Sequence, residues 1–566
     1  MAGGPPASVH ARALVQGVRR LVAHEWAGNP LHRALLAHPK PEGLAAAPKD
    51  PRPADAEAGA RILAGRFAFA GSVLETGVGG DPWDRPSPSR RFAATLHRFE
   101  WMRDLVAAGE AGEREGLRLT LEWRRLFGRW NAFSWSPEVL ERRVFNLACA
   151  ARPICARASD AEVAQISLDL ARQARHLLSG IDGPVRAAER AAVAALAGTV
   201  LGGAAGQKLI DKALARLTRA LAATVAPDGG HASRSPRAAL ELLFDLQALD
   251  EALVQRGIAA PEEMTRALDR LAGAVRFFTL ADGALPELNG GEAGGPAYVA
   301  AARASEDRTA RPPTSRNGYE RLDGKRLHVF ADAAAPPPGA WSVTACAQPM
   351  ALEVLAGCQR MIVASGWSPE AAGPEALRLA DAASTATLGD QPCGEPLRGV
   401  LAKALGPRLV GAPEAVEARR HEAESALWLE LAHHGWVKRF HLRHERRLFL
   451  DLALDELRGE DRFTPVGEAK DGRRFIPYAI RFHIHPDVRV SLARDGKSVL
   501  LRPADDEAGW RLRSDAPDAA IETSVYFHDG QPRRSQQVVL RGQARIDGGA
   551  RIRWKLAAAE AWPPAH

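Results

Sequence analysis

Cysteine is scarce in this chain of 566 residues. The five present (Cys149, Cys155, Cys346, Cys358, Cys393) are an odd number and form no CxxC pair, which excludes a disulfide framework and a zinc knuckle. They read as small buried hydrophobes. Phosphate-cradling glycine motifs are missing as well: no GxGxxG follows a predicted strand, and there is no GxxxxGK[ST], so a nucleotide-binding fold loses support. Long apolar runs are absent. The most apolar stretch, 191–206, is rich in Ala and Gly and falls short of a membrane span, so it is expected to form a tightly packed helix hairpin. The first 26 residues contain no apolar core of signal-peptide length. The expected location is the cytoplasm, or the cell envelope or periplasm if an export signal lies outside this chain. Long basic runs are also missing. The net charge of +7 is carried by arginines spread along the chain, which favours an anionic partner but lacks the concentrated patch that nucleic acid calls for.

What remains is an ordinary globular composition, 46% hydrophobic and 25% charged, on a chain long enough for two or three domains. Its character changes near residue 300. Before that point Ala, Leu and Arg recur at helical spacing, as in 138–148 and 237–249. Ser136-Pro137-Glu138 and Ser235-Pro236 each place a cap residue before a first-turn proline, and Pro261 with Glu262 and Glu263 opens a further helix. Residues 282–318 are rich in Gly, Pro, Asn and Ala. Beyond them the period becomes two, as in 326–332, 359–365, 479–485 and 487–492, with Asp495-Gly496 and Asp529-Gly530 as hairpin-turn signals. Helices followed by strands predict segregated α and β domains, the second an antiparallel sandwich. The expected division is an N-terminal helical extension over 1–59, a helical domain over 60–295, a linker over 296–318 and a sandwich over 319–566.

Three segments bear chemistry. In Asp228-Gly-Gly-His231-Ala-Ser-Arg234-Ser-Pro236, His231 and Arg234 precede a helix start, where free N–H groups favour an anion such as a carboxylate; the plainer alternative is that Ser233 or Ser235 caps the helix. Trp130, Phe133 and Trp135 offer a sugar-stacking platform, or simply core packing. In His433-His434-Gly-Trp-Val-Lys-Arg439-Phe-His441-Leu-Arg443-His444, an extended chain would place Arg439, His441 and Arg443 on one face as a cationic strip. His483 and His485 likewise share a face. That spacing suits a structural divalent metal, although further ligands would be needed, and no cofactor is expected.

Taken in order, several segments resemble the heparinase II/III-like family over roughly residues 60–560. They are Pro227-Asp-Gly-Gly-His231, Phe277-Phe with Asp282-Gly and Asn289-Gly-Gly, Asn317-Gly-Tyr319-Glu-Arg-Leu, His434-Gly-Trp, His444-Glu-Arg, 481–487 and Glu522-Thr-Ser-Val-Tyr526. The resemblance implies an incomplete (α/α) toroid followed by an antiparallel β-sandwich, with a cleft between them for an acidic polysaccharide. It further implies β-elimination at a uronic acid, in which placed cations and donors stabilise the enolate-like charge and a base takes the C5 proton. Carried over by position, His231 and Tyr319 are the catalytic candidates. Arg234 and Asn289 are candidates for the substrate carboxylate, and Trp130, Trp135, His434, Arg439 and His441 for further glycan contacts. The sequence also departs from the family: Cys346 and Ala383 stand where relatives carry histidines, and there are only four tyrosines. Two functions follow, a polysaccharide lyase, or an acidic-glycan-binding or scaffolding protein that kept the cleft and lost the chemistry.

Overall fold

The structure, a computed structural model, describes residues 7–180, 183–304, 313–367, 375–467, 474–504, 506, 509–528 and 531–559. The Asp529-Gly530 turn lies outside the described residues. Asp495-Gly496 does form the tight turn between the antiparallel strands Val488–Leu492 and Ser498–Pro503.

The first half is an incomplete toroid of helices. Its centre is the Ala/Gly-rich hairpin, the helices Ala187–Val200 and Gly203–Thr224. Ala191 to Ala197 are essentially inaccessible to solvent. A Cβ at Gly198 would stand 3.0 Å from Ile210, so the small side chains set how closely the two helices approach. The helices Pro137–Ile154, Asp160–Ser179, Pro236–Gln255 and Glu262–Phe278 pack around this hairpin and share one apolar core with it. Ser235 caps the third of these through Ala238 N–H, as its sequence position predicts.

The second half is a sandwich of two antiparallel sheets. The sheet nearer the toroid includes Tyr319–Asp323, Leu327–Asp332, Leu352–Ala356, Gln359–Val363, Phe475–Ile484, Asp518–His528 and Gln531–Arg545. The distal sheet runs, in spatial order, Val416–Ala423, Ala426–His433, Leu442–Asp451, Glu456–Pro465, Ala550–Ala558, Trp510–Ser514, Ser498–Pro503 and Val488–Leu492. A second core fills the space between the sheets.

That core encloses a fully buried polar cluster. Asp461 accepts hydrogen bonds from His444 Nε2 (2.8 Å), Arg446 Nε (2.8 Å) and Nη2 (3.2 Å), and Trp554 Nε1 (2.9 Å). Arg446 Nη1 also donates to the carbonyls of Met350 and Ser384 on the opposite sheet. One carboxylate thereby takes donors from three side chains, which is how a charge can sit in an apolar interior.

The chain's beginning straps the two halves together. The helix Ala7–Gly28 lays Val9 and Ala13 on Leu397, Leu401 and Leu405 of the sandwich half, around the helix Gly399–Leu405. Its His24 ring meets Trp130 of the toroid edge-on at 4.6 Å.

Candidate functional site

The toroid and sandwich meet along a seam, and four of the sequence candidates converge there. The loop before the helix Pro236–Gln255 carries His231 and Arg234, and Arg234 adopts a left-handed conformation (φ 58°). That turn swings the guanidinium across the seam. Arg234 Nε donates to Asn317 O (3.1 Å), Nη1 to Ala334 O and Ala335 O (3.1 and 2.9 Å), and Nη2 to Gly318 O and Asp332 Oδ1 (2.9 and 2.6 Å). These are all five donors that an arginine owns. Its plane also lies 4.5 Å from the centre of the Tyr319 ring.

Tyr319 is wholly buried. Its hydroxyl donates to Arg234 O (2.8 Å) and accepts from Asn289 Nδ2 (2.6 Å). Burial pushes that hydroxyl well above the ordinary tyrosine range, with Arg234 opposing. Asn289 also donates to Asp332 Oδ2 (3.2 Å), and its carbonyl accepts from Cys346 N–H (3.2 Å). Cys346 is buried, and desolvation pushes its thiol up to about 11, so it offers no thiolate at neutral pH.

His231 is buried at the edge of this network. Its Nδ1 accepts from the Ser233 backbone N–H at 3.1 Å, which leaves the ring proton on Nε2. Nε2 stands 3.4 Å from Glu189 Oε1, and the ring lies edge-on to Trp341. Burial alone would raise the Glu189 carboxyl, but Arg186 and His231 hold it below its ordinary range. The pair is a buried carboxylate and imidazole that face each other without a hydrogen bond between them. Glu189, Asp332 and Trp341 had no signal in the sequence, because each lies on a different element from its partner.

The remaining candidates lie apart from this network. Trp135 is buried, donates from Nε1 to Phe127 O (2.9 Å) and packs on His176. Trp130 is half-buried against His24. Both therefore serve packing between protein elements. The extended strip expected over 439–443 is corrected. Val437–Phe440 is one turn of helix, His441 follows it with φ 54°, and the strand begins only at Leu442. The turn is sealed by Trp436, whose buried ring sits over His433 and His444. Arg439 consequently contacts Gln391 and Pro392 O rather than sharing a face with Arg443, and His434 is exposed in the preceding turn. His483 is buried and satisfied by Ser524 Oγ (2.7 Å) and Asp381 O (2.9 Å). No group of three or more His, Cys, Asp or Glu residues among the described residues is arranged to hold a metal ion.

A second buried cluster lies along the same seam. Arg360 donates to Asp282 Oδ2 (2.6 Å) and lies 3.5 Å from Glu353 and 4.0 Å from Glu287. Tyr526 donates to Glu287 Oε1 (2.7 Å). One guanidinium faces three carboxyl groups, and burial raises both Glu287 and Glu353 above the ordinary glutamate range. A raised folded-state value means stability that is fully present below about pH 4.5 and is lost as pH rises through the raised values. The melting temperature is therefore expected to fall from about pH 5 to about pH 8. Glu287→Gln should flatten that slope and add roughly 1–2 kcal/mol at the alkaline end. A steeper slope in the variant, read by thermal melts across pH, would refute the assignment.

The comparisons bear on this geometry. The model for "Heparinase II/III-like, C-terminal" matches residues 307–555. Over 577 aligned residues the chain is 51% identical to FtsZ-localized protein C of Caulobacter vibrioides, covering 99% of this chain and all of that protein. The chain belongs to the heparinase II/III-like family. A crystal structure of heparinase III superposes with a TM-score of 0.64 at 14% identity, covering 86% of this chain and 80% of that one. A heparan sulfate lyase HepC mutant from Pedobacter heparinus does so with a TM-score of 0.57 at 14% identity, covering 94% and 88%. At that identity the likeness is one of fold. The toroid-and-sandwich architecture expected of a heparinase II/III-like chain is thus present throughout. Among the described residues, no helix is long and apolar enough to cross a membrane.

Proposed function

We propose that this chain is a non-lytic heparinase II/III-like protein that works alongside FtsZ, using the family architecture as a scaffold. The observation that carries the reading is the engagement of Arg234. All five of its donors are spent on the protein, the Tyr319 hydroxyl is spent on Arg234 O and Asn289, and the Asn289 amide is spent on Tyr319, Asp332 and the Cys346 N–H. A lyase needs such groups free to meet a uronate carboxylate and its C5 proton. Cys346 and Ala383, where the family resemblance leads one to expect histidines, point the same way, and so does the name of the Caulobacter relative.

One observation favours a second reading, an active lyase on an acidic polysaccharide. His231 Nε2 and Glu189 Oε2 are buried without a hydrogen bond, and the two side chains face each other. The test pairs two measurements. Purified protein is incubated with a panel of acidic polysaccharides while the ultraviolet absorbance of unsaturated uronate is followed, and a fluorescent fusion is imaged with FtsZ in cells. The expected result is no absorbance rise and co-localisation with FtsZ. A rise that His231→Ala abolishes would establish the lyase instead.

A further inference from the structure

The outer face of the distal sheet holds a concentration of cations that neither core nor seam uses. Strand alternation turns Leu448, Leu450, Leu457, Leu512, Ile552 and Leu556 inward and their neighbours outward. The register then places Phe449 opposite Arg458, Arg458 opposite Lys555, and Lys555 opposite Arg513. Like charges directly opposite one another cost stability, and here three stand in one row across adjacent strands. The counter-charge is thin. Glu456 is shared by Arg458 (2.6 Å) and Lys555 (2.8 Å), Asp451 stands 3.9 Å from Arg458, and Asp495 is the carboxylate that feels Arg513. A depression of about 420 Å³ lies over the row, lined by Arg447, Phe449, Arg458, Arg513, Arg553 and Lys555.

At one end the row becomes apolar. Phe449 meets Trp428 edge-to-face at 5.0 Å, and Trp428 is exposed. The Arg458 guanidinium stands 5.4 Å from the centre of the Phe449 ring. With that ring occupied, the pair makes a notch for a side chain rather than a platform for a sugar. The depression also contains Glu460 and Asp515, which a flat anionic lipid surface would meet as repulsion.

We propose that this face docks an acidic, extended segment of a partner polypeptide. One apolar side chain seats against Phe449 and Trp428, and carboxylates engage Arg458, Lys555 and Arg513. From Arg458 to Arg513 is two strand spacings, ~9.6 Å, which matches about three residues of extended chain. Charge complementarity supplies the attraction and the notch fixes the register. The proposal stands whether or not the cleft at the seam cleaves a glycan.

The test is fluorescence anisotropy at low salt, using the full chain and a short labelled peptide of Glu and Asp with one central Leu. The triple variant Arg458→Glu/Lys555→Glu/Arg513→Glu should bind roughly tenfold to a hundredfold more weakly. Three glutamates in that row would repel one another as the cations do, so the neutral triple Arg458→Gln/Lys555→Gln/Arg513→Gln is run beside it and should weaken binding as well. A control triple with the same charge change as the Glu triple, Arg125→Glu/Arg219→Glu/Arg534→Glu, uses exposed arginines remote from this face and should bind as the parent does. Phe449→Ala should erase the preference for the Leu peptide over its Ala counterpart. Equal weakening in the Glu triple and its control would reduce the effect to net charge and overturn the proposal. So would an absence of peptide binding, or capture of heparin oligosaccharides or phosphatidylglycerol vesicles by the row that the peptide fails to displace.

Discussion

Arg234→Met is expected to lower stability by about 3–5 kcal/mol, the cost of leaving a buried ion-pair partner alone. Asp332 would keep only the Asn289 amide and the Ala334 N–H as donors. Four carbonyls, those of Asn317, Gly318, Ala334 and Ala335, would lose their guanidinium donor inside the seam, and an unsatisfied buried acceptor costs about 1–3 kcal/mol. Lysine should rescue little, because one ammonium cannot reproduce a planar fork aimed at five acceptors. Chemical denaturation of the two variants beside the parent checks the point. A loss below about 1 kcal/mol for Arg234→Met would mean that the guanidinium is free enough to serve a ligand, and would revive the carboxylate-binding role.

The second large effect belongs to Asp461. Asp461→Ala leaves Arg446 with two carbonyls and no counter-ion in a fully buried site, again a loss of about 3–5 kcal/mol. Asp461→Asn separates charge from hydrogen bonding. Its amide nitrogen would point a donor at the donors of Arg446 or Trp554, so it should be nearly as damaging despite its size. Burial would raise the Asp461 carboxyl, but Arg446 and His444 hold it well below the usual carboxylate range. A depressed folded-state value contributes stability that is present above the unfolded value of about 3.9 and is lost as pH falls through the folded one. The parent should therefore lose stability steeply below about pH 4, and Asp461→Asn should lose less over the same range. Parallel acid-unfolding curves for the two proteins would contradict this.

Both effects depend on residues that the sequence offers for other work. Arg234 reads as an anion ligand because it precedes a helix start, and nothing local reveals that carbonyls about 100 residues away wait for it. His444 and Arg446 stand in a histidine- and arginine-rich stretch that carries no local sign of burial, yet alternation turns both inward onto Asp461. Periodicity tells which residues share a face but not which face is covered. That is why the helical first half, the strand-rich second half and the family were legible, whereas the roles of individual polar side chains were not. The strip at 439–443 failed for a related reason. Its alternation of basic and apolar residues suits a strand, but the aromatic that ends the preceding turn, Trp436, found its packing partners only through a helical corner. His231 and Tyr319 do meet in one network, because the motifs carrying them are fixed to the loops that form the seam.

The strap formed by the helix Ala7–Gly28 bears on the order in which the protein is made. Arg20, on that helix, bonds to the carbonyl of Lys403, 383 positions later in the chain. At about 5–20 residues per second, roughly 20–80 s of synthesis separate the two. Through that interval Val9 and Ala13 have no partner to cover them. This helix, made well before its sandwich partners, is thus among the last elements to settle, and its docking reports that the toroid and the start of the sandwich have both come together.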